Sequence, residues 1–259
     1  MNGGITVVKI GGNVIDNPEA LAAFIDDFSK ISGPKILIHG GGKEATRLSA
    51  RLGIKTRMEG GRRVTDRETL DIVTMIYAGL INKRIVAMLQ AAGCDAVGMC
   101  GADGNSITAT RRKPAPVDYG YVGDIDPAAV NADLIGKLLD MHLTPVFCAI
   151  NHDGKGGLLN CNADTVASSV ATACSRIGST DLIFCFEKAG VLRDINDGNS
   201  VIRNISPATY PALISEGIID GGMLPKIDNA LKAVGEGVRS VTIKSSAGLL
   251  ADSGTRISK

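Results

Sequence analysis

At 259 residues, with 44% hydrophobic residues and 32 glycines, the chain is long enough to bury a substantial core and is composed like a compact α/β protein. Lys and Arg together number 28 against 27 for Asp and Glu, a net charge of +1 that excludes a broad basic field for nucleic acid and an acidic disordered tail, so any anion site must be local. Cys94, Cys100, Cys148, Cys161, Cys174 and Cys185 are widely spaced without a CxxC pair and read as free thiols of a reducing compartment; no basic leader opens the chain and no run approaches the length of a membrane-spanning helix, so a cytoplasmic location is expected.

Short β-branched runs alternate with segments of helical period. Strands are predicted at Ile5 to Ile10, Lys35 to His39, Ala96 to Cys100, Thr144 to Ile150, Asp181 to Phe186 and Arg239 to Lys244. Between the first two, Asn17-Pro18-Glu19 starts a helix that places Leu21, Phe24, Ile25 and Phe28 on one face. Thr65 and Glu68 have capping-box spacing ahead of a long apolar helix reaching about Gly93. Further helices are expected from Asn131 to Met141, Asn162 to Ile177 and Ser206-Pro207 to Gly217, and Gly154 to Gly157 reads as a turn. This alternation predicts an α/β fold, a mainly parallel central sheet with helices on both faces, whose ligands bind at the carboxyl ends of the strands.

The polar residues concentrate at those strand ends. Lys9-Ile10-Gly11-Gly12-Asn13 and His39-Gly40-Gly41-Gly42 each end a strand in glycines, which let backbone amides approach an anion, and Lys9 adds a point charge. No GxxxxGK[ST] occurs, no GxGxxG follows a strand with an acid at the right distance, and no GxSxG turn exists to make His39-Gly40-Gly41-Gly42 an esterase oxyanion hole. Gly60-Gly61-Arg62-Arg63 offers guanidinium groups before the long helix, where they suit a carboxylate; a solvated basic pair is the alternative. Asn160-Cys161-Asn162-Ala163-Asp164 places two amides and a carboxylate at a strand-to-helix turn, although Asn162 could simply cap the helix. Gly221-Gly222-Met223-Leu224-Pro225-Lys226 opens a helix with a lysine in its first turns, which the helix dipole disfavours unless an anion lies nearby.

In this order the segments VKIGGN, IHGGG, GGRRVTD, YGYVGDI, LLNCNADTVA, GGMLPKIDNAL and GTRIS resemble the amino-acid kinase family, in its N-acetylglutamate kinase branch, over essentially the whole chain. The resemblance implies that Lys9 and Lys226 stabilise a transferring phosphoryl group from two sides and that Asp164 orients them. It implies that Gly11, Gly12, Gly190 and Gly222 bind the nucleotide. Gly41 and Gly42 would hold an acylglutamate near its γ-carboxylate, Arg63 would clamp its α-carboxylate, and Asn160 and Asn162 would complete that pocket. The expected reaction is ATP-dependent phosphorylation of the γ-carboxylate of N-acetyl-L-glutamate, with Mg2+ carried by the nucleotide and no protein metal site. Residues 1–155 would form an acylglutamate-binding and dimerisation lobe and 156–259 an ATP-binding lobe. A homodimer joined through the long helix is expected, without arginine feedback because the first strand starts by Ile5.

Two departures stand out. Arg62 occupies a position that is usually apolar, which raises N-succinyl-L-glutamate as an alternative substrate. Phe186 to Val191 stands where an Asp-Val-x-Gly pattern is usual. Other amino-acid kinases, and a non-catalytic metabolite sensor of the same fold, are the competing readings. GGRRVTD with NCNAD opposes the first, and the set of Lys9, Asp164 and Lys226 opposes the second.

Overall fold

Runs such as Val7-Val8-Lys9-Ile10 and Ile36-Leu37-Ile38-His39 are almost wholly buried, the pattern of strands covered on both faces rather than of strands with one face in water. In the computed structural model, which describes residues 4–259 apart from the surroundings of Gly222 and Pro225, they form the centre of an eight-stranded sheet. Its strands are β1 (Ile5–Ile10), β2 (Lys35–His39), β3 (Ala96–Met99), β4 (Thr144–Cys148), β5 (Thr180–Phe186), β6 (Asn204–Ile205), β7 (Ser240–Ser245) and β8 (Thr255–Ile257). Their spatial order is β6-β8-β7-β5-β1-β2-β4-β3, and every pairing is parallel except the antiparallel β7–β8.

The principal helices are α1 (Pro18–Ser29), α2 (Gly42–Arg51), α3 (residues 67–91), α4 (Ala132–Asp140), α5 (Ala163–Cys174) and α6 (Leu224–Gly235). α1 packs on α3, which also covers β3 and β4; α5 covers β1 and β5 and contacts both α4 and α6. The sheet is therefore clad on both faces. Asn17 caps α1 by accepting from the Glu19 and Ala20 amides, and Leu21, Phe24, Ile25 and Phe28 are all buried. Replacing Phe24 by alanine would cost about 3 to 5 kcal/mol, since its ring is fully enclosed and stacks on Phe28.

Several sequence expectations need correction. The cap of α3 is Asp66, which accepts from the Thr69 amide; Thr65 instead donates to the Arg63 carbonyl and accepts from Asn160, so its hydroxyl is committed to the site. The helix expected from Ser206 begins at Tyr210, because Ser206 and Thr209 bond each other in a turn. The run Thr144 to Ile150 divides into β4 and a hairpin strand Ile150–His152, paired with Leu158–Asn160 across the Gly154–Gly157 turn. α3 is 25 residues long and, contrary to expectation, long and apolar enough to cross a membrane; Leu70, Ile72, Val73, Ile76, Ile81, Ile85 and Leu89 bury one face of it in the core. Its middle, Met75–Ile81, is wound as a π-helix. All six cysteines are free thiols, and all but Cys100 are buried.

Candidate active site

Parallel register brings the carboxyl ends of β1, β2 and β5 together: Ile10 lies beside His39 on one side and Cys185 on the other. Such strand ends, where loops lead off to opposite faces, form the ligand crevice of open α/β sheets. Two adjoining cavities occupy this edge. One, of about 530 Å3, is lined by Lys9, Gly11, Gly12, Gly190, Asp164 and Lys226 among others. The other, of about 260 Å3, is lined by Gly40 to Gly42, Arg62, Arg63, Tyr77, Asn160 and Asn162 among others, and Gly12 and Gly42 belong to both.

In the larger cavity Lys9 Nζ, next to last in β1, lies 2.7 Å from Asp164 Oδ1. The contact is a close ion pair, and it sets the lysine head group against the carboxylate inside the cavity. Lys226, in the first turn of α6, sits with Nζ 4.0 Å from the centre of the Phe186 ring, and Lys9 Nζ lies 5.4 Å from the same ring. Burial lowers the Lys226 pKa; Asp164 opposes this and Lys9 reinforces it. Two cations lie near one carboxylate and one aromatic ring, a local positive excess suited to a polyanion. Gly190 packs so closely on Thr255 and Val201 that a β-carbon there would come within 3.0 Å of both. Gly222 lies in the 3-10 turn Gly221–Met223 ahead of α6, and its contacts fall outside the described residues.

In the smaller cavity Arg63 is buried, and its guanidinium donates to the Gly42 carbonyl at 2.8 Å, to Thr46 Oγ1 at 2.8 Å and to Thr56 Oγ1 at 3.2 Å. All three acceptors are uncharged, so a buried cation faces the cavity without an ion-pair partner among the described residues, the condition that favours an anionic ligand. Asn160 Nδ2 donates to Thr65 Oγ1 at 3.1 Å, fixing its amide orientation. Asn162 caps α5 with Oδ1 and also lines the cavity. Gly41 has φ 157° and starts α2 without any side-chain cap, leaving helix N–H groups open at the junction of the cavities.

The structure gives contacts at the site to residues that carried no site role in the sequence reading, and ties in others that the motifs only touched. Tyr77 and Ile81 of the π-helix press on Gly41, where a β-carbon would meet Ile81 Cδ1 at 2.3 Å and Tyr77 Cδ1 at 2.9 Å. Burial pushes the Tyr77 phenol pKa up, and the neighbouring Arg63 opposes it. Phe186 carries the two lysines. Lys43 hydrogen-bonds Asn13 and Asn13 hydrogen-bonds Glu187, a chain that crosses the mouth of the larger cavity. Last, buried His39 is bonded through Nδ1 to the Gly40 carbonyl at 2.8 Å and through Nε2 to Asn82 at 3.0 Å; burial brings its pKa down to about 4. His39 and Asn13 stand in glycine runs and Phe186 and Glu187 in the segment Phe186 to Val191, so these carried a sequence signal, whereas Tyr77 and Ile81 reach the site only because α3 packs against the Gly41 loop.

The family model described as the amino acid kinase family matches residues 4–245. An acetylglutamate kinase of Bacteroides thetaiotaomicron is 46% identical over 255 residues, covering 98% of both chains, and one of Cytophaga hutchinsonii is 50% identical over 92% of this chain and 89% of its own. The crystal structure of smu.665 from Streptococcus mutans UA159 superposes with a TM-score of 0.77 at 27% identity, covering 98% of each chain. With the match spanning nearly all of the sheet and both cavities, the chain belongs to the amino acid kinase family, in its acetylglutamate kinase branch.

Proposed function

We propose that the chain is a kinase that transfers the γ-phosphoryl group of ATP to the γ-carboxylate of N-acetyl-L-glutamate, the acyl-phosphate-forming step of arginine biosynthesis. The observation that carries this reading is the pair of cavities meeting at Gly12 and Gly42, one with the paired cations Lys9 and Lys226, the other with the buried, unneutralised Arg63. Nucleotide phosphates in the first and an α-carboxylate held by Arg63 in the second bring donor and acceptor oxygens together at the glycines.

The acceptor carboxylate is already ionised at neutral pH, so the reaction needs alignment and charge neutralisation rather than a general base. Lys9 and Lys226 stabilise charge spreading over the transferring phosphoryl oxygens, and Asp164 holds Lys9 in place. The amides of Gly11 and Gly12 line the phosphate side, and those of Gly41 and Gly42 the acceptor side. Gly190 and Gly222 bound the nucleotide. Mg2+ would arrive on the nucleotide's own oxygens. In this reading residues 1–155 hold the acylglutamate and 156–259 the nucleotide.

Exposed Met75 and Leu80 on α3 support a homodimer joined along that helix. The six free thiols support a reducing, cytoplasmic setting. A second substrate has one specific observation in its favour. Arg62 lines the acyl cavity, and its cross-strand neighbour Glu59 pairs with Arg57 instead, so a cation is left for an acyl group ending in a carboxylate, as in N-succinyl-L-glutamate. Steady-state kcat/KM for the two acylglutamates, in wild type and Arg62→Leu, tests this. A succinyl preference lost in the variant assigns Arg62 to the acyl end, and an unchanged ratio leaves acetyl as the substrate.

A further inference from the structure

The π-helical stretch Met75–Ile81 changes which residues of α3 face the glycine loop. At about 100° per residue, an α-helix would place positions 77 and 82 roughly 140° apart, on different faces. A π-helix, bonded i to i+5 and wound at roughly 80° per residue, brings the same two positions to within about 40°. The result is that Tyr77 and Ile81 rest on Gly41 while Asn82, the first residue after the π segment, reaches the fully buried His39.

The hydrogen bonds from Asn82 run in one direction. Its Nδ2 donates to the Val146 carbonyl of β4 at 2.9 Å, an acceptor that cannot reverse, so the amide cannot flip. Lys83 Nζ, 3.2 Å from Asn82 Oδ1, fixes the same orientation from the other side. The second Nδ2 proton therefore points at His39 Nε2, which must accept. The neutral imidazole then carries its proton on Nδ1 and donates it to the Gly40 carbonyl. That carbonyl and the Gly41 N–H belong to one trans peptide and point in opposite directions. Holding the carbonyl against His39 turns the Gly41 N–H outward, where it has no intramolecular acceptor among the described residues.

We propose that Asn82 and His39 are positioning residues for phosphoryl transfer: through the Gly40 carbonyl they orient the Gly40–Gly41 peptide so that the Gly41 N–H faces the acceptor carboxylate. This rests on reading the Gly40 to Gly42 loop as the acceptor cradle. The π-helix is the distortion that makes the contact reachable, and it connects the exposed Met75 and Leu80 face of α3 to the reacting centre.

Two measurements test the proposal. Long-range 1H-15N spectra of the wild-type protein at neutral pH, with His39 assigned by its loss in His39→Asn, report the tautomer directly. The Nδ1–H form is expected in wild type and a mixed or Nε2–H form in Asn82→Leu; an Nε2–H form in wild type overturns the proposal, whatever the turnover. In ADP-release assays with acylglutamate, Asn82→Leu and His39→Leu lower kcat about tenfold or more, with the KM for Mg-ATP within about twofold of wild type. His39→Asn, whose amide keeps a donor near the Nδ1 position, retains several times the turnover of His39→Leu. Equal rates in those two His39 variants, or wild-type kcat in Asn82→Leu, overturn the relay while leaving the kinase reading intact. No turnover of any acylglutamate by the wild type overturns both.

Discussion

The buried histidine makes a quantitative prediction about stability. His39 is wholly enclosed, and its pKa falls from 6.5 to about 4, first because burial penalises the imidazolium, with the nearby Lys83 ammonium adding to the effect and the Gly40 carbonyl opposing it. Between those two values the unfolded chain binds a proton that the folded chain refuses. Stability from this residue is therefore complete above about pH 6.5 and is lost as the pH falls towards 4. At about 1.4 kcal/mol for each pKa unit, the loss amounts to about 3 kcal/mol. Urea unfolding at fixed protein concentration, at intervals from pH 7.5 to 4.5, would compare wild type with His39→Asn, which cannot titrate. His39→Asn should be less stable at neutral pH, because it leaves a cavity, yet its curve should fall less steeply with acidification, the two converging by up to about 3 kcal/mol. Parallel curves would show that His39 accepts a proton as readily folded as unfolded and would refute the enclosed neutral imidazole.

Other predictions address the site itself. Lys9→Ala and Lys226→Ala should each lower kcat about 10²- to 10³-fold while changing the KM for acylglutamate only a few-fold, in a coupled assay with both substrates varied. Arg63→Leu should raise the KM for acylglutamate about 10²-fold, with Arg63→Lys recovering little because a point charge cannot hold Gly42, Thr46 and a carboxylate together. Gly41→Ala should destabilise by about 2 to 3 kcal/mol in thermal unfolding and abolish turnover, because its β-carbon would collide with Ile81 and Tyr77.

Much of the fold was legible because parallel strands buried on both faces leave unbroken apolar runs, and β1 and β2 match the runs Ile5 to Ile10 and Lys35 to His39 residue for residue. Asn17, Asn131 and Asn162 were equally legible as caps, since capping is decided within three residues. Where two polar residues compete, locality fails: Thr65 looks like a cap, but a partner 95 positions away, Asn160, claims its hydroxyl and leaves Asp66 to cap. The π winding of α3 left no mark either, because apolar spacing does not separate an α-helix from a short π segment and tertiary contacts with Gly41 and His39 select the latter. In the site, residues next to glycine runs were visible from sequence, whereas Tyr77, Asn82 and Phe186 acquire their roles only when α3 and β5 are placed against β1 and β2.

The most direct test of the central claim is ADP release by the purified protein with Mg-ATP, comparing N-acetyl-L-glutamate, N-succinyl-L-glutamate and free L-glutamate at equal concentration. The account predicts rapid turnover of an acylated glutamate, little with free glutamate, and loss of that turnover in Lys226→Ala. Equal rates with free glutamate, or no turnover with either acylglutamate, would contradict it.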